Sequence, residues 1–271
     1  MFEDFYGFRN TPFTRDIPEN EVYRTEQLEE NLGRLQYAAE RQLLVVVAGE
    51  CGVGKTTTIR KFESALDPFR YRLLYVTESK LTPRNFYRAL LNQLGHESKY
   101  NRGDARLLLH KEIEIMKGVH HLNPVVVMDE AHLLSKEMLE EVRFLLNFKM
   151  DSCSPMALVL VGQLELLHRL QNQAYEAIRQ RIDLLCKLGC FDRASSEAYM
   201  RRHLDYAGLD KDHELFTDLA KDAIFRYSNG LARKINSVCS HSLTYGAQNG
   251  KRLIDEHIVN LVIERELDLK L

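Results

Sequence analysis

The run Leu43-Leu44-Val45-Val46-Val47-Ala48, followed at once by Gly49-Glu50-Cys51-Gly52-Val53-Gly54-Lys55-Thr56, constrains this chain more than any other segment. A short, wholly apolar, Val-rich run is the pattern of a strand buried on both faces, the kind found in parallel sheets covered by helices. The next residues fit G-x-x-x-x-G-K-[ST] in full and lead into a helical pattern that ends near Leu66, before Asp67-Pro68. Glycines let the backbone turn its N–H groups inward around phosphates, and the helix that follows adds its positive end. Lys55 is placed to reach the β- and γ-phosphates, and Thr56, with Thr57 beside it, to offer a hydroxyl to magnesium. A chance Gly-rich turn would lack the strand before and the helix after. The segment predicts a site for a nucleotide and Mg²⁺ spanning Gly49 to Thr57.

The remaining pattern alternates. Helical spacing over Thr25–Gln42 puts Leu28, Leu32, Leu35 and Ala39 on one face. Strands are predicted at Arg72–Thr77, Val125–Asp129, Met156–Gly162 and, more weakly, Leu184–Leu188. Thr82-Pro83 opens a helix to about Leu94, Asp104 caps one to His121, and Ser135 caps one to Phe148. Asn123-Pro124 reads as the break before the third strand. Strands alternating with helices imply a parallel sheet wrapped on both faces, an α/β fold. After Phe191 the strand pattern stops, and Ser195–Ala207, His213–Tyr227, Leu231–Ala247 and Asp255–Glu264 read as amphipathic helices. The sequence therefore predicts an α/β domain over residues 1–190 and a small all-helical domain over 191–271. The aromatic, proline-interrupted opening is expected to form an extended arm on the first.

Val125-Val126-Val127-Met128-Asp129-Glu130 is the second chemical motif. A buried strand next to that of the Gly-rich loop would deliver Asp129 to the magnesium shell and Glu130 to the attacking water. The alternative is an acidic cap on the following helix. Gln163, after the strand Met156–Gly162, reads either as a γ-phosphate or water ligand or as an ordinary helix-start residue. Arg179 and Arg181 precede the last strand. Each suits either a trans-acting arginine finger or a solvated helix end. Arg233, in Gly230-Leu231-Ala232-Arg233, could fold back to the phosphates.

Composition removes other classes. Lysine and arginine number 37 against 39 acidic residues, a net charge of −2, so totals make no case for nucleic acid and any such contact must be local or repeated by assembly. The five cysteines (51, 153, 186, 190, 239) form no CxxC pair, and Cys186 and Cys190 lack partners for a zinc site. The N-terminus lacks a basic signal region, and the longest apolar run is far short of the ~20 residues that span a bilayer. A cytoplasmic protein with no membrane contact is expected.

The order of these motifs resembles that of the AAA+ ATPases, and more narrowly the ExeA-type group. The shared features are Phe5-Tyr6-Gly7-Phe8 with Pro12-Phe13, the Gly-rich loop, Asp129-Glu130-Ala131-His132, Leu160-Val161-Gly162-Gln163, Gln180-Arg181-Ile182 and Gly230-Leu231-Ala232-Arg233-Lys234-Ile235-Asn236. The DEAH string is also similar to a helicase box, but such helicases need two RecA-like lobes. The resemblance implies ATP hydrolysis by Lys55, Thr56, Asp129 and Glu130. It implies a sensor at Gln163, a second sensor at Arg233 in a helical lid, and Arg181 or Arg179 as the finger. The second strand ends Thr77-Glu78-Ser79, where the group has an Asn that restrains the catalytic glutamate. The group divides into secretion ATPases and transposon ATPases similar to TnsC, TniB and MuB. A chain ending at Leu271 without a membrane helix is expected to fall in the second branch. That branch implies ATP-driven rings or filaments on duplex DNA, non-specific in sequence, and a DDE-type transposase as partner. Lys80, Arg84, Lys99, Arg102 and Lys149 are the candidate phosphate contacts, each equally readable as a solvated cation. A secretion module and a helicase loader are the alternatives.

Overall fold

In the computed structural model, which describes residues 2–78, 81–97, 101–146, 154–210 and 213–267, the apolar run becomes β1 (Leu44–Gly49), buried at every position. Burial of that kind needs a paired strand on each edge and a helical layer on each face. β1 lies inside a five-stranded parallel sheet with β2 (Tyr71–Val76), β3 (Asn123–Met128), β4 (Ala157–Gly162) and β5 (Leu184–Leu188), in the order β2-β3-β4-β1-β5. Val47 sits opposite Val161 on one side and Cys186 on the other, and Val127 opposite Tyr75 and Val159. Successive residues alternate between two apolar layers. Val45, Val47, Val127 and Val159 pack with Leu35 and Ala38 of α2 (Glu26–Arg41) and Phe62 of α3 (Lys55–Ala65). Val46, Val126, Met128 and Leu158 pack with Phe86 of α4 (Pro83–Gln93), Leu109 of α5 (Arg102–Gly118) and Leu139 of α6 (Lys136–Leu146).

Several local expectations change. β3 does not adjoin β1: β4 is inserted between them. Pro124 lies within β3 rather than before it, as its second residue, where the missing N–H removes little from the ladder. Asn101, not Asp104, caps α5, its side chain accepting from the Asp104 N–H at 3.0 Å. Thr82 and Ser135 cap α4 and α6 as expected, while Phe148 lies outside the described residues. Between Gly162 and Leu184 the chain forms α7 (Leu164–Gln171) and the short α8 (Glu176–Arg179).

The molecule divides into two units. One comprises Glu26–Cys51 and Lys55–Leu188, the α/β part. The other comprises Met1–Thr25, Gly52–Gly54 and Gly189–Leu271. The second is helical, built from α9 (Arg193–Tyr206), α10 (Asp218–Ser228), α11 (Ala232–Gln248) and α12 (Glu256–Val262), with Asp192, Thr217 and Asp255 as side-chain caps. Among the described residues no helix is long and apolar enough to cross a membrane.

The N-terminal arm is not an extended appendage of the α/β part. Phe2–Tyr6 is a helix, α1, and the whole arm belongs to the helical unit. The reason is the number of aromatic side chains it must bury. The Phe13 ring stacks on His203 at 5.2 Å and meets Phe216 edge-on. The Phe13 N–H donates to His203 Nδ1 at 3.1 Å, the Arg9 N–H to the Ala207 carbonyl at 2.8 Å and the Tyr6 hydroxyl to the Lys251 carbonyl at 2.8 Å. Arg202 pairs with Glu21 at 2.8 Å.

This strap makes stability depend on pH. His203 is buried and accepts a hydrogen bond at Nδ1, and burial pushes its imidazole down to about 4. The unfolded chain takes up that proton near pH 6.5, so the unfolded state binds more protons between the two values. The contribution is complete above pH 6.5 and lost as pH falls toward 4, for a total of about 3 kcal/mol. Urea melts at pH 7 and 4.5 should show this loss in the wild type and not in His203→Asn. Equal slopes in both would remove His203 from the account.

Candidate nucleotide site

β1 ends at Gly49 and the chain reverses into α3 through Gly52 (φ 85°) and Gly54 (φ 108°). Both lie in the left-handed region that only glycine adopts without strain, which is why the loop has this composition. Val53 is buried and anchors the turn. α3 starts directly after this loop, and the start of a helix is the arrangement that binds anions. Lys55 is buried, and its ammonium donates to the Gly49 and Glu50 carbonyls at 2.9 Å each. Thr56 is exposed at the start of the helix. Within the helical unit, the Arg233 N–H donates to the Gly52 carbonyl at 3.1 Å, and a Cβ on Gly52 would lie 2.7 Å from the Arg233 Cβ. A side chain at position 52 is therefore excluded twice, by φ and by Arg233.

β3 carries Asp129 to the same edge of the sheet, where it is buried. One carboxylate oxygen accepts from the Glu130 N–H at 2.8 Å and the other from the Tyr75 hydroxyl at 2.5 Å. Burial first, and then this bond to Asp129, raise the Tyr75 phenol far above its ordinary range, so it stays a donor. Glu130 has left-handed backbone (φ 52°), and its carboxylate is half-exposed. β4, between β1 and β3, ends at Gly162 and sets Gln163 beside the Asp129-Glu130 turn as the residue before α7. The Gln163 side chain does not cap that helix. Gly162 packs tightly here: a Cβ would lie 3.1 Å from the His132 nitrogen and 3.0 Å from Leu166 Cδ2.

Tyr75 and Arg169 are absent from the sequence-derived set. Arg169, on α7, donates to the His132 carbonyl and, at 2.7 Å, to the Leu134 carbonyl, with its guanidinium 5.6 Å from the Tyr175 ring centroid. It fastens the turn after β3 to the helix after β4. Neither lies in a motif. The signal for Tyr75 was its register opposite Val127, two residues before Asp129, but that needs the strand pairing.

The remaining candidates separate. Arg179 and Arg181 lie just before β5, whose first residue, Leu184, pairs with Val45 at the start of β1. They are thus at the edge of the sheet opposite the Gly-rich loop, roughly 16 Å away along a five-residue strand. The Arg179 guanidinium donates to the Gln171 carbonyl at 3.0 Å. Arg84 is exposed on α4. Arg102 is bound by the buried Glu141 and, at 3.1 Å, by Glu137, so it is a structural ion pair rather than an open cation. Lys80, Lys99 and Lys149 lie outside the described residues. Cys186 is buried and Cys190 exposed, and no group of three or more metal ligands occurs among the described residues.

A Gly-rich loop after β1, an Asp-Glu pair after β3 and a polar residue after the strand between them define a P-loop AAA+ fold. Residues 38–170 match the family described as AAA domain. Over 258 residues it is 28% identical to the General secretion pathway protein A of Aeromonas hydrophila, covering 94% of this chain and 46% of that protein. It thus spans about half the length of that relative. Among solved structures it is similar to the Aeropyrum pernix ORC2 protein (TM-score 0.64, 14% identity, 96% of this chain and 71% of that one). It is also similar to a chain of Drosophila ORC bound to DNA (TM-score 0.65, 17% identity, 97% and 64%). At these identities the likeness is one of fold.

Proposed function

We propose that this protein is a magnesium-dependent ATPase whose nucleotide state drives its assembly on duplex DNA, and that it regulates DNA transposition by marking the target and recruiting or activating a DDE-type transposase. One observation carries the ATPase reading: Lys55, Asp129, Glu130 and Gln163 are brought to one edge of three consecutive strands, β1, β4 and β3. Lys55 and the first turn of α3 bind the phosphates. The Thr56 hydroxyl and Asp129 carboxylate are hard oxygen donors that suit magnesium, with Tyr75 orienting the carboxylate. When bound, the metal neutralises charge on the β- and γ-oxygens. Glu130 accepts a proton from the attacking water, and the Gln163 amide steadies that water or the γ-phosphate. Arg233, whose N–H holds the Gly52 carbonyl, is the residue through which the helical unit senses the loop.

The positions of the arginines support assembly. Arg179 and Arg181, at the far edge of the sheet, serve a neighbouring copy's phosphates rather than their own. With a net charge of −2, useful affinity for DNA requires many copies repeating a few contacts, Arg84 among them. The DNA in one structure of similar fold supports this partner. The similarity to a secretion protein along most of this chain favours a second reading, an ATPase module that acts on an envelope complex.

Sedimentation with duplex DNA separates the two. ATP should shift the chain into large assemblies with DNA that dissolve at high salt. A chain that binds ATP yet stays indifferent to DNA would favour the secretion reading. Arg181→Ala should bind ATP normally and lose about 10³-fold in turnover, the loss expected for a missing finger. Mixing it with Lys55→Ala protein should restore part of that turnover, because the second variant lends its Arg181 to the first one's intact site. No recovery on mixing would argue against action in trans.

A further inference from the structure

The ring of His132 stands between two groups that make opposite demands on it. Its side chain is only 6% exposed. Its backbone is held by Arg169, which donates to the His132 carbonyl, and lies close against Gly162, where a Cβ would come within 3.1 Å of the His132 nitrogen. From there Nδ1 lies 3.4 Å from Glu130 Oε2 and 3.5 Å from the Gln163 backbone nitrogen. A carboxylate only accepts, so the first contact needs a hydrogen on Nδ1. A backbone amide only donates, so the second needs a lone pair there. One ring nitrogen satisfies one of them at a time. Glu130, by contrast, is half-exposed.

We propose that His132 is a positioning residue that holds Glu130 idle and releases it by changing hydrogen-bond partner. In the idle state Nδ1–H donates to the Glu130 carboxylate and keeps it on the protein. In the released state the ring carries its hydrogen on Nε2, Nδ1 accepts the Gln163 N–H, and Glu130 turns to the attacking water. The neutral ring gives up one proton at Nδ1 and takes one at Nε2, so its charge does not change. Gln163 leads out of β4 into α7, so a displacement at that strand end is transmitted to Glu130 through a single nitrogen. The inference rests on the ATPase reading and adds a regulatory step to it.

Two variants test the device. His132→Leu keeps the buried volume and removes both contacts of Nδ1, while His132→Asn restores an amide near the position of Nδ1. The Leu variant should turn ATP over about fivefold faster than the wild type, as when one ordinary hydrogen bond favouring the idle state is lost, with the nucleotide Kd unchanged. The Asn variant should return turnover to the wild-type level. Turnover at or below wild type in the Leu variant, or an Asn variant that behaves like it, overturns the proposal. A second readout needs no turnover. In ¹⁵N imidazole spectra, with His132 assigned by its loss in the Asn variant, Glu130→Ala should convert Nδ1 from hydrogen-bearing to lone-pair character. An unchanged His132 spectrum overturns the device whatever the activity, whereas a wild type without affinity for ATP overturns only the ATPase reading.

Discussion

Lys55→Ala is expected to weaken ATP binding at least about 100-fold, while Glu130→Gln leaves binding intact and lowers turnover by about 10²–10⁴. The two residues are neighbours in the mechanism but differ in what they touch. The Lys55 ammonium is buried against the Gly49 and Glu50 carbonyls, so the folded loop already supplies its position and desolvation. Phosphate oxygens are stronger acceptors than carbonyls, so the ammonium transfers to them at little cost. Alanine removes that charge-assisted contact from a site that then holds a multiply charged anion with fewer donors. It also leaves the Gly49 and Glu50 carbonyls without this partner, so loop order should fall as well. Glu130 follows β3 rather than lying on the loop, and in the proposed mechanism its half-exposed carboxylate acts on water. An amide of the same shape cannot take the proton. The Gln variant should therefore retain nucleotide and accumulate the assembled form. Equilibrium binding of a fluorescent ATP analogue, alongside steady-state turnover, checks both. Equal losses of affinity in the two variants would mean that Glu130 is a binding residue, against the role assigned to it.

The strand-helix alternation and the loop composition were legible because each rests on short-range physics. Val45, Val46 and Val47 can only be a strand buried on both faces, and glycines at 52 and 54 can only be there for left-handed backbone. What the sequence hid is what pairing decides. Nothing local to Val125–Met128 says that β4 will intervene before β1, yet that insertion is what sets Gln163 beside Glu130. Tyr75 reaches Asp129 only through the register of β2 on β3, and Arg169 reaches the His132 carbonyl across two elements. The arm's sequence pattern misleads for a related reason. Phe2, Tyr6, Phe8 and Phe13 are spaced by prolines and glycine as if extended, but their aromatic area seeks a core, and the helical unit provides it. Arg102 looked like an open cation because Glu141, which holds it, is 39 residues away.

Gly230→Ala is expected to destabilise the helical unit by about 4 kcal/mol. α10 ends with two successive left-handed residues, Asn229 (φ 48°) and Gly230 (φ 74°), but they are not equivalent. Asn229 is exposed and tolerates this backbone as asparagine often does. Gly230 is buried, its carbonyl accepts from the Phe191 N–H at 3.0 Å, and a Cβ would lie 1.9 Å from the Phe191 carbonyl oxygen. That neighbour is backbone, so the chain just before α9 must move away. The move breaks the hydrogen bond and pulls Phe191 from its contacts with Tyr23 and Tyr199. Left-handed strain, the displacement and the lost bond add to the total. Asn229→Gly, which relaxes backbone and removes no packing, should change stability by under about 1 kcal/mol. Hydrogen exchange along α9–α11 reads the effect where it arises, apart from the α/β unit. The consequence for function follows from position. Arg233 is three residues downstream on α11, and its N–H grips the Gly52 carbonyl, so a loosened α10–α11 turn should weaken ATP binding with every residue of the Gly-rich loop intact. A Gly230→Ala protein with lowered stability and undiminished ATP affinity would show that Arg233 takes no part in nucleotide sensing.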